Sequence, residues 1–204
     1  MKKIEGKNIK IFALICVLVI IAMLIHIFIK NNKSKNLNFG NNRTSQEIVD
    51  DFLSIKSYEA KIEVKVNSNK NENKYVLKQK YQGENNNSQE VLEPENIKGV
   101  KIIKQGENLK IENNKLDLEY VLDNYNDITN NILDLSTFIK EYKNNKNSEW
   151  HENNDEIIMK VIDEKKEKIL YINKKDGMSL KMEVKNNNKN TIIYIKYIKI
   201  CLNK

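Results

Sequence analysis

Cysteine, histidine, glycine and arginine are scarce in this 204-residue chain, and each scarcity removes a class of function. Its two cysteines are Cys16, inside a long apolar run, and Cys201, near the C-terminus. They make no disulfide framework and no zinc-ligand spacing. Cys16 reads as a small apolar residue and Cys201 as a packed one at the end of an apolar strand. Of the two histidines, His26 lies in the same apolar run. His151, in Trp150-His151-Glu152, has no Ser, Cys or Asp dyad near it, so it makes no triad. The six glycines form neither a phosphate-binding loop nor a nucleophile elbow. Arginine is absent after Arg43, while asparagine, lysine and isoleucine abound. That balance reads as the product of an AT-rich bacterial genome, and the Asn-Asn-Asn runs at 85–87 and 186–188 read as loops.

Carboxylates are plentiful but sit among lysines. Asp163-Glu164-Lys165-Lys166-Glu167 has the look of a solvated turn. Asp123-Asn124-Tyr125-Asn126-Asp127 places oxygen ligands at alternate positions, yet it lacks the glycine and terminal glutamate of a calcium loop. No catalytic, cofactor-binding or metal-ligating residue is expected, and the chain does not read as an enzyme.

The formal charge is +7, which by itself would fit a nucleic-acid partner. Its distribution argues against one. Residues 1–43 carry eight Lys/Arg against one acidic residue, so all +7; the remaining 27 Lys and 27 Asp/Glu cancel. The excess flanks the run Ile11-Phe-Ala-Leu-Ile-Cys-Val-Leu-Val-Ile-Ile-Ala-Met-Leu-Ile-His-Ile-Phe-Ile29, where basic side chains meet anionic headgroups. At about 1.5 Å per residue the run approaches the ~30 Å of a hydrocarbon core. It ends in Ile25-His26-Ile27-Phe28-Ile29-Lys30, with no small-residue cleavage pattern. The expected organisation is a basic tail (1–10), a single-span membrane anchor (11–29), a polar linker (30–43) and one extracytoplasmic domain (44–204). The short tail places the N-terminus in the cytoplasm at the cell membrane.

The domain reads as mostly strands. Thr44 and Glu47 form a capping box for a helix that buries Ile48, Phe52, Leu53 and Ile55 and ends near Ser57. Tyr58, Ala60, Ile62, Val64 and Val66 then alternate with charged residues, the pattern of a strand with one buried and one wet face. Further strands are expected at about 74–82, 88–92, 99–105, 108–112, 116–122, 156–163, 167–173, 178–185 and 191–200. Turns fall at 67–73, at Gln105-Gly106-Glu107-Asn108 and at Lys174-Lys175-Asp176-Gly177. The last strand is apolar on both faces, which suits a central position. Residues 128–142 switch to a helical period, with Ile128, Ile132, Leu135, Ile139 and Tyr142 on one face. Short connections imply an antiparallel sheet, and one this long curls. The expected class is α+β, a curved antiparallel half-barrel covered by two or more helices. Tyr58, Tyr75, Tyr81 and Trp150 are candidates to line an apolar cavity beneath them, with ordinary core packing as the alternative.

One segment carries a resemblance. Val91-Leu92-Glu93-Pro94-Glu95-Asn96-Ile97-Lys98-Gly99-Val100 leads into a strand, a tight turn and another strand. The pattern Leu92, Pro94, Ile97, Lys98, Gly99 resembles the LolA-like superfamily of lipoprotein carriers, in the form seen in GerS-type germination proteins of clostridia. The resemblance spans about residues 44–200. It implies a half-open barrel with helices as a lid. It also implies a non-enzymatic protein that binds and activates a spore-cortex amidase, a cell-wall hydrolase. Two departures accompany it: a membrane span in place of a lipid anchor, and no arginine in the domain, where carriers use one to hold the lid. The alternative reading is a binder of lipid or lipoprotein that uses the apolar concavity.

Overall fold

The structure, a computed structural model, describes residues 43–203 apart from 69–70, 84–85, 123–132, 164–165 and 187–190. Tail 1–10, the apolar run 11–29, most of the linker and the 123–127 segment therefore lie outside the described residues. Among the described residues no helix is long and apolar enough to cross a membrane. The described residues belong to one compact unit, Asn36–Lys204.

Helix α1 (Ser45–Leu53) starts where the capping box requires. The Glu47 N–H donates to Thr44 Oγ1 at 3.2 Å, and the Thr44 N–H donates to Glu47 Oε2 at 2.8 Å. The helix buries Ile48, Val49 and Phe52 and stops at Ser54, three residues earlier than the apolar pattern implies.

Eleven strands follow: β1 (Ser57–Asn67), β2 (Glu72–Tyr81), β3 (Asn86–Glu93), β4 (Lys101–Gln105), β5 (Asn108–Asn113), β6 (Leu118–Leu122), β7 (Glu149–Asn153), β8 (Glu156–Ile162), β9 (Lys166–Asn173), β10 (Ser179–Asn186) and β11 (Thr191–Asn203). They form one curved, unclosed antiparallel sheet in the order β6-β5-β4-β3-β2-β1-β11-β10-β9-β8-β7. Among the described residues, the only strand pairing between the two meanders, β1–β6 and β7–β11, is that of β1 with β11. Between them in sequence stands α2 (Leu135–Asn144). The expected helix over 128–142 is corrected at its start: Leu133 is a turn residue and Asp134 has extended backbone, so the described helix begins at Leu135. Strand β7 carries a single apolar residue, Trp150, and so shows no alternation to read.

The core lies between the sheet and the two helices. Phe52, Leu135 and Phe138 from the helices meet Ile62, Ile157, Leu170, Ile172 and Met182 from the sheet, all essentially solvent-free. The inward rows of β1 and β11 supply its middle. Strict alternation along Thr191–Leu202 would turn Lys199 inward and Ile200 outward. A bulge prevents this: the register with β1 shifts between Lys61 and Ile62, so that Lys61 faces Lys199 and Ile62 faces Tyr197. Ile198 is the extra residue, half exposed, and Ile200 and Leu202 stay inside. The central position expected for β11 holds. Its outer face is open, however, because no helix among the described residues packs on that side. Cys201 lies there, exposed and opposite Glu59, rather than packed as its neighbours implied.

Deleting Ile198 restores strict alternation. The deletion variant is expected to fold with β11 in register and a melting temperature within about 5 °C of the parent. Loss of a cooperative melt by circular dichroism would show that the bulge itself is required.

Candidate functional site

Helix α2 crosses the inner face as a strap, held at both ends by polar groups. At its start, the Asp134 carboxylate accepts from Gln89 Nε2 at 2.5 Å and Gln79 Nε2 at 3.2 Å; Gln79 Nε2 also donates to the Leu133 carbonyl at 3.1 Å. The Leu135 N–H donates to Tyr58 Oη at 3.2 Å. At its far end, Glu141 meets the buried Lys168 Nζ at 2.6 Å, and Asn145 Nδ2 donates to the Ile162 carbonyl at 2.7 Å. The strap thus ties β1, β2 and β3 to β8 and β9.

Burial sets the charges here. It pushes Asp134 from the ordinary 3.8 up to about 6, against the lowering pull of Gln89 and the lysines nearby. It raises Tyr58, with the Asp134 charge adding to the effect, and raises Tyr197 in the same way. It also lowers Lys168, which the Glu141 contact partly offsets. Among the described residues, the buried Gln79 Oε1 and Tyr197 Oη meet no hydrogen-bond partner.

The aromatic candidates all face the core side. Tyr58 is fully buried and stacks on Tyr81 with ring centroids 5.4 Å apart. Tyr75 and Trp150 are half-buried and pack against the same core. Tyr58 and Tyr81 are brought together; Tyr75, on β2, and Trp150, on edge strand β7, lie in opposite meanders. The Leu92–Gly99 motif forms the excursion between β3 and β4. Pro94 precedes a single turn, Glu95–Ile97, and Lys98 pairs with Glu95 at 2.9 Å on the surface. Gly99, at φ +85°, returns the chain, donating its N–H to the Val91 carbonyl at 2.8 Å. These residues shape a loop. His151 is exposed, and among the described residues no group of His, Cys, Asp and Glu could hold a metal ion.

Sequence reasoning missed Gln79, Gln89, Asp134 and Lys168. A signal existed for two of them. Gln79 falls on an inward position of β2 after Leu77, and Lys168 on an inward position of β9 before Leu170 and Ile172. A polar residue on the apolar row of an alternating strand marks a buried contact.

The raised Asp134 has a definite pH consequence. A carboxyl that is harder to ionise in the folded state favours folding when protonated. That stability is present below about pH 4 and is lost as the pH rises through about 6. Asp134→Asn keeps an acceptor oxygen and removes the charge. It is expected to match the parent at pH 4 and to exceed it at pH 8 by on the order of 3 kcal/mol. Denaturant melts at both pH values check this, and equal stability at pH 8 would refute it.

No family model and no curated protein matches the sequence. Several solved structures are similar. GerS, in the structure of the CwlD amidase from Clostridioides difficile in complex with the GerS lipoprotein, is 26% identical, with 78% of this chain and 95% of that chain covered at a TM-score of 0.47. The LolA superfamily protein NE2245 from Nitrosomonas europaea is 13% identical, covering 79% and 94%, at a TM-score of 0.41. A putative outer membrane lipoprotein-sorting protein domain from Vibrio parahaemolyticus is 9% identical, covering 76% and 91%, at a TM-score of 0.45. The solved structures to which this chain is similar thus include a LolA-superfamily protein and the GerS lipoprotein.

Proposed function

We propose that this chain is a membrane-anchored, extracytoplasmic, non-enzymatic binding protein of the GerS type. It acts through a protein partner, a cell-wall amidase of the spore cortex. The observation that carries the reading is where the large apolar side chains are exposed. Eight are exposed among the described residues, and five of them, Ile102, Leu116, Leu118, Tyr120 and Val121, lie on β4, β6 and the turn before β6. Strand β6 is a sheet edge, its outer side unpaired among the described residues. Tyr120 is 58% exposed and Leu118 47%. An apolar, unpaired edge is a template for a partner strand and a liability in a protein without one.

The partner's chemical class comes from the resemblance, since GerS is solved with an amidase. Membrane anchoring rests on the 11–29 run and the basic residues around it. The lipid-carrier alternative needs an apolar cavity beneath the helices. Among the described residues that space is occupied by Phe52, Leu135 and Phe138.

The purified full chain, in mild detergent, is expected to co-elute with the cortex amidase of its own organism. Tyr120→Glu with Leu118→Glu should weaken that complex by about 100-fold or more while leaving the melting temperature unchanged. Isothermal titration compares the parent with the double variant. No complex with the parent chain, or stoichiometric lipid extracted from it, would overturn the reading.

A further inference from the structure

We propose that the outer face of β2, β1 and β11 docks on an anionic phospholipid bilayer. The face is unusual in how its charges are arranged. Lys78, Lys61 and Lys199 stand directly opposite one another across the three strands, and Lys65 stands opposite Lys74. Directly opposed side chains are about 5 Å apart, and like charges at that distance destabilise a sheet. Seven lysines meet three acidic residues on the face: Glu63 is engaged with Lys74 at 2.8 Å, Glu59 with Lys80 at 3.3 Å, and Glu72 stands at the end of β2 opposite Asn67. Lys61, Lys65, Lys78, Lys196 and Lys199 are left with no acidic partner within salt-bridge distance among the described residues. Basic charge of this kind is explained by a complementary surface outside the molecule.

Two further observations favour a bilayer over a soluble polyanion. Exposed apolar side chains stand among the lysines: Tyr194 at 37% and Ile198, the bulge residue, at 50%. An aromatic ring at headgroup level with basic neighbours is the composition of an interfacial surface. Beside them, along the paired part of β10 and β11, a groove of about 610 Å³ is lined by Lys65, Lys181 and Lys196 with Glu63 and Glu72, and by Tyr194 among its apolar residues. Its lysines outnumber its glutamates by three to two, so it adds a small positive excess and an aromatic ring to the face. The chain also keeps the domain close to a bilayer. Only 13 residues separate Ile29 from Arg43, a reach of at most roughly 45 Å. The proposal rests in this last respect on the anchoring part of the proposed function.

The test uses the full chain with Cys16→Ser, so that Cys201, exposed on this same face, is the one thiol left. The protein is placed in vesicles of phosphatidylcholine alone, or with about one part in three phosphatidylglycerol, and alkylation of Cys201 by a maleimide is timed. The reaction is expected to be about tenfold slower or more in the anionic vesicles, and the protection to vanish in ~0.5 M salt. Lys61→Glu with Lys65→Glu places acids opposite Lys78, Lys199 and Lys74. It should abolish the protection while leaving the melting temperature unchanged or higher. Equal rates in the two vesicles would overturn the proposal. So would protection by a soluble polyanion without protection by anionic vesicles. Alkaline carbonate extraction tests the anchor separately. If it releases the chain, the anchor reading fails, and salt-sensitive flotation with anionic but not neutral vesicles then decides the docking surface.

Discussion

The pairing of β1 with β11 is the contact on which the rest of the structure depends. Eleven register pairs, from Ser57 with Asn203 to Asn67 with Ile192, join the first strand of the domain to its last. Every other strand pair links neighbours in sequence and closes through a short connection. Without the seam there are two separate meanders, each with its apolar face half covered. Closing it brings together residues more than a hundred positions apart, so its entropic cost comes early and its reward arrives only when the inward rows of both strands meet. The bulge at Ile198 belongs to this economy. It keeps Ile200 and Leu202 opposite the inward row of β1 and keeps Lys199 in water, where strict alternation would have buried a charge.

The strap follows from the same topology. A chain that ends one meander at edge β6 and begins the next at edge β7 must travel from one side of the sheet to the other. Helix α2 makes that crossing over the inner face, and its apolar side fills the space beneath with Leu135, Phe138 and Ile139. A ten-residue helix spans about 15 Å, and each of its ends meets a different half of the sheet. Polar groups do the fastening. Their burial is costly, which is why Asp134 holds its proton to about pH 6 and Lys168 sits against Glu141. Hydrophobic burial alone would let the helix slide; the two glutamines on Asp134 and the amide on Tyr58 give it one position.

Much of this was legible in the residues, for identifiable reasons. Tyr58–Val66 alternates without a break, so its two faces could be assigned before any pairing was known. Thr44 and Glu47 mark a helix start because both halves of the capping box are local. The turn at 174–177 is equally local, with Gly177 at φ +62°. The less legible features depend on neighbours distant in sequence. Strand β7 has one apolar side chain and exists because β8 pairs with it. The start of α2 at Leu135 reflects Gln79 and Gln89, about fifty residues upstream, holding Asp134 in extended backbone. Cys201 is exposed because a bulge three residues earlier resets the faces, a shift that no pattern within the strand marks. The apolar candidates Tyr58, Tyr75, Tyr81 and Trp150 could be placed on the inner face, but whether that face held space or side chains depended on how deeply Phe52 and Phe138 enter.

The seam also divides the surface. Because the helices among the described residues cover the inner side, the outer side of the central strands can carry unneutralised charge, and it carries lysine. Five of the eight exposed large apolar residues gather instead near the β6 edge, which is five strands from β1 in the sheet order. A face that repels itself and an edge that invites pairing both work against a stable solitary domain. Each makes physical sense when something outside the molecule completes it, a negatively charged surface for the first and an apolar strand or groove for the second. The two demands differ in chemistry and in place, so one can be met without obstructing the other. An edge left free beside a face that is held is the arrangement that presents a binding strand at a fixed surface.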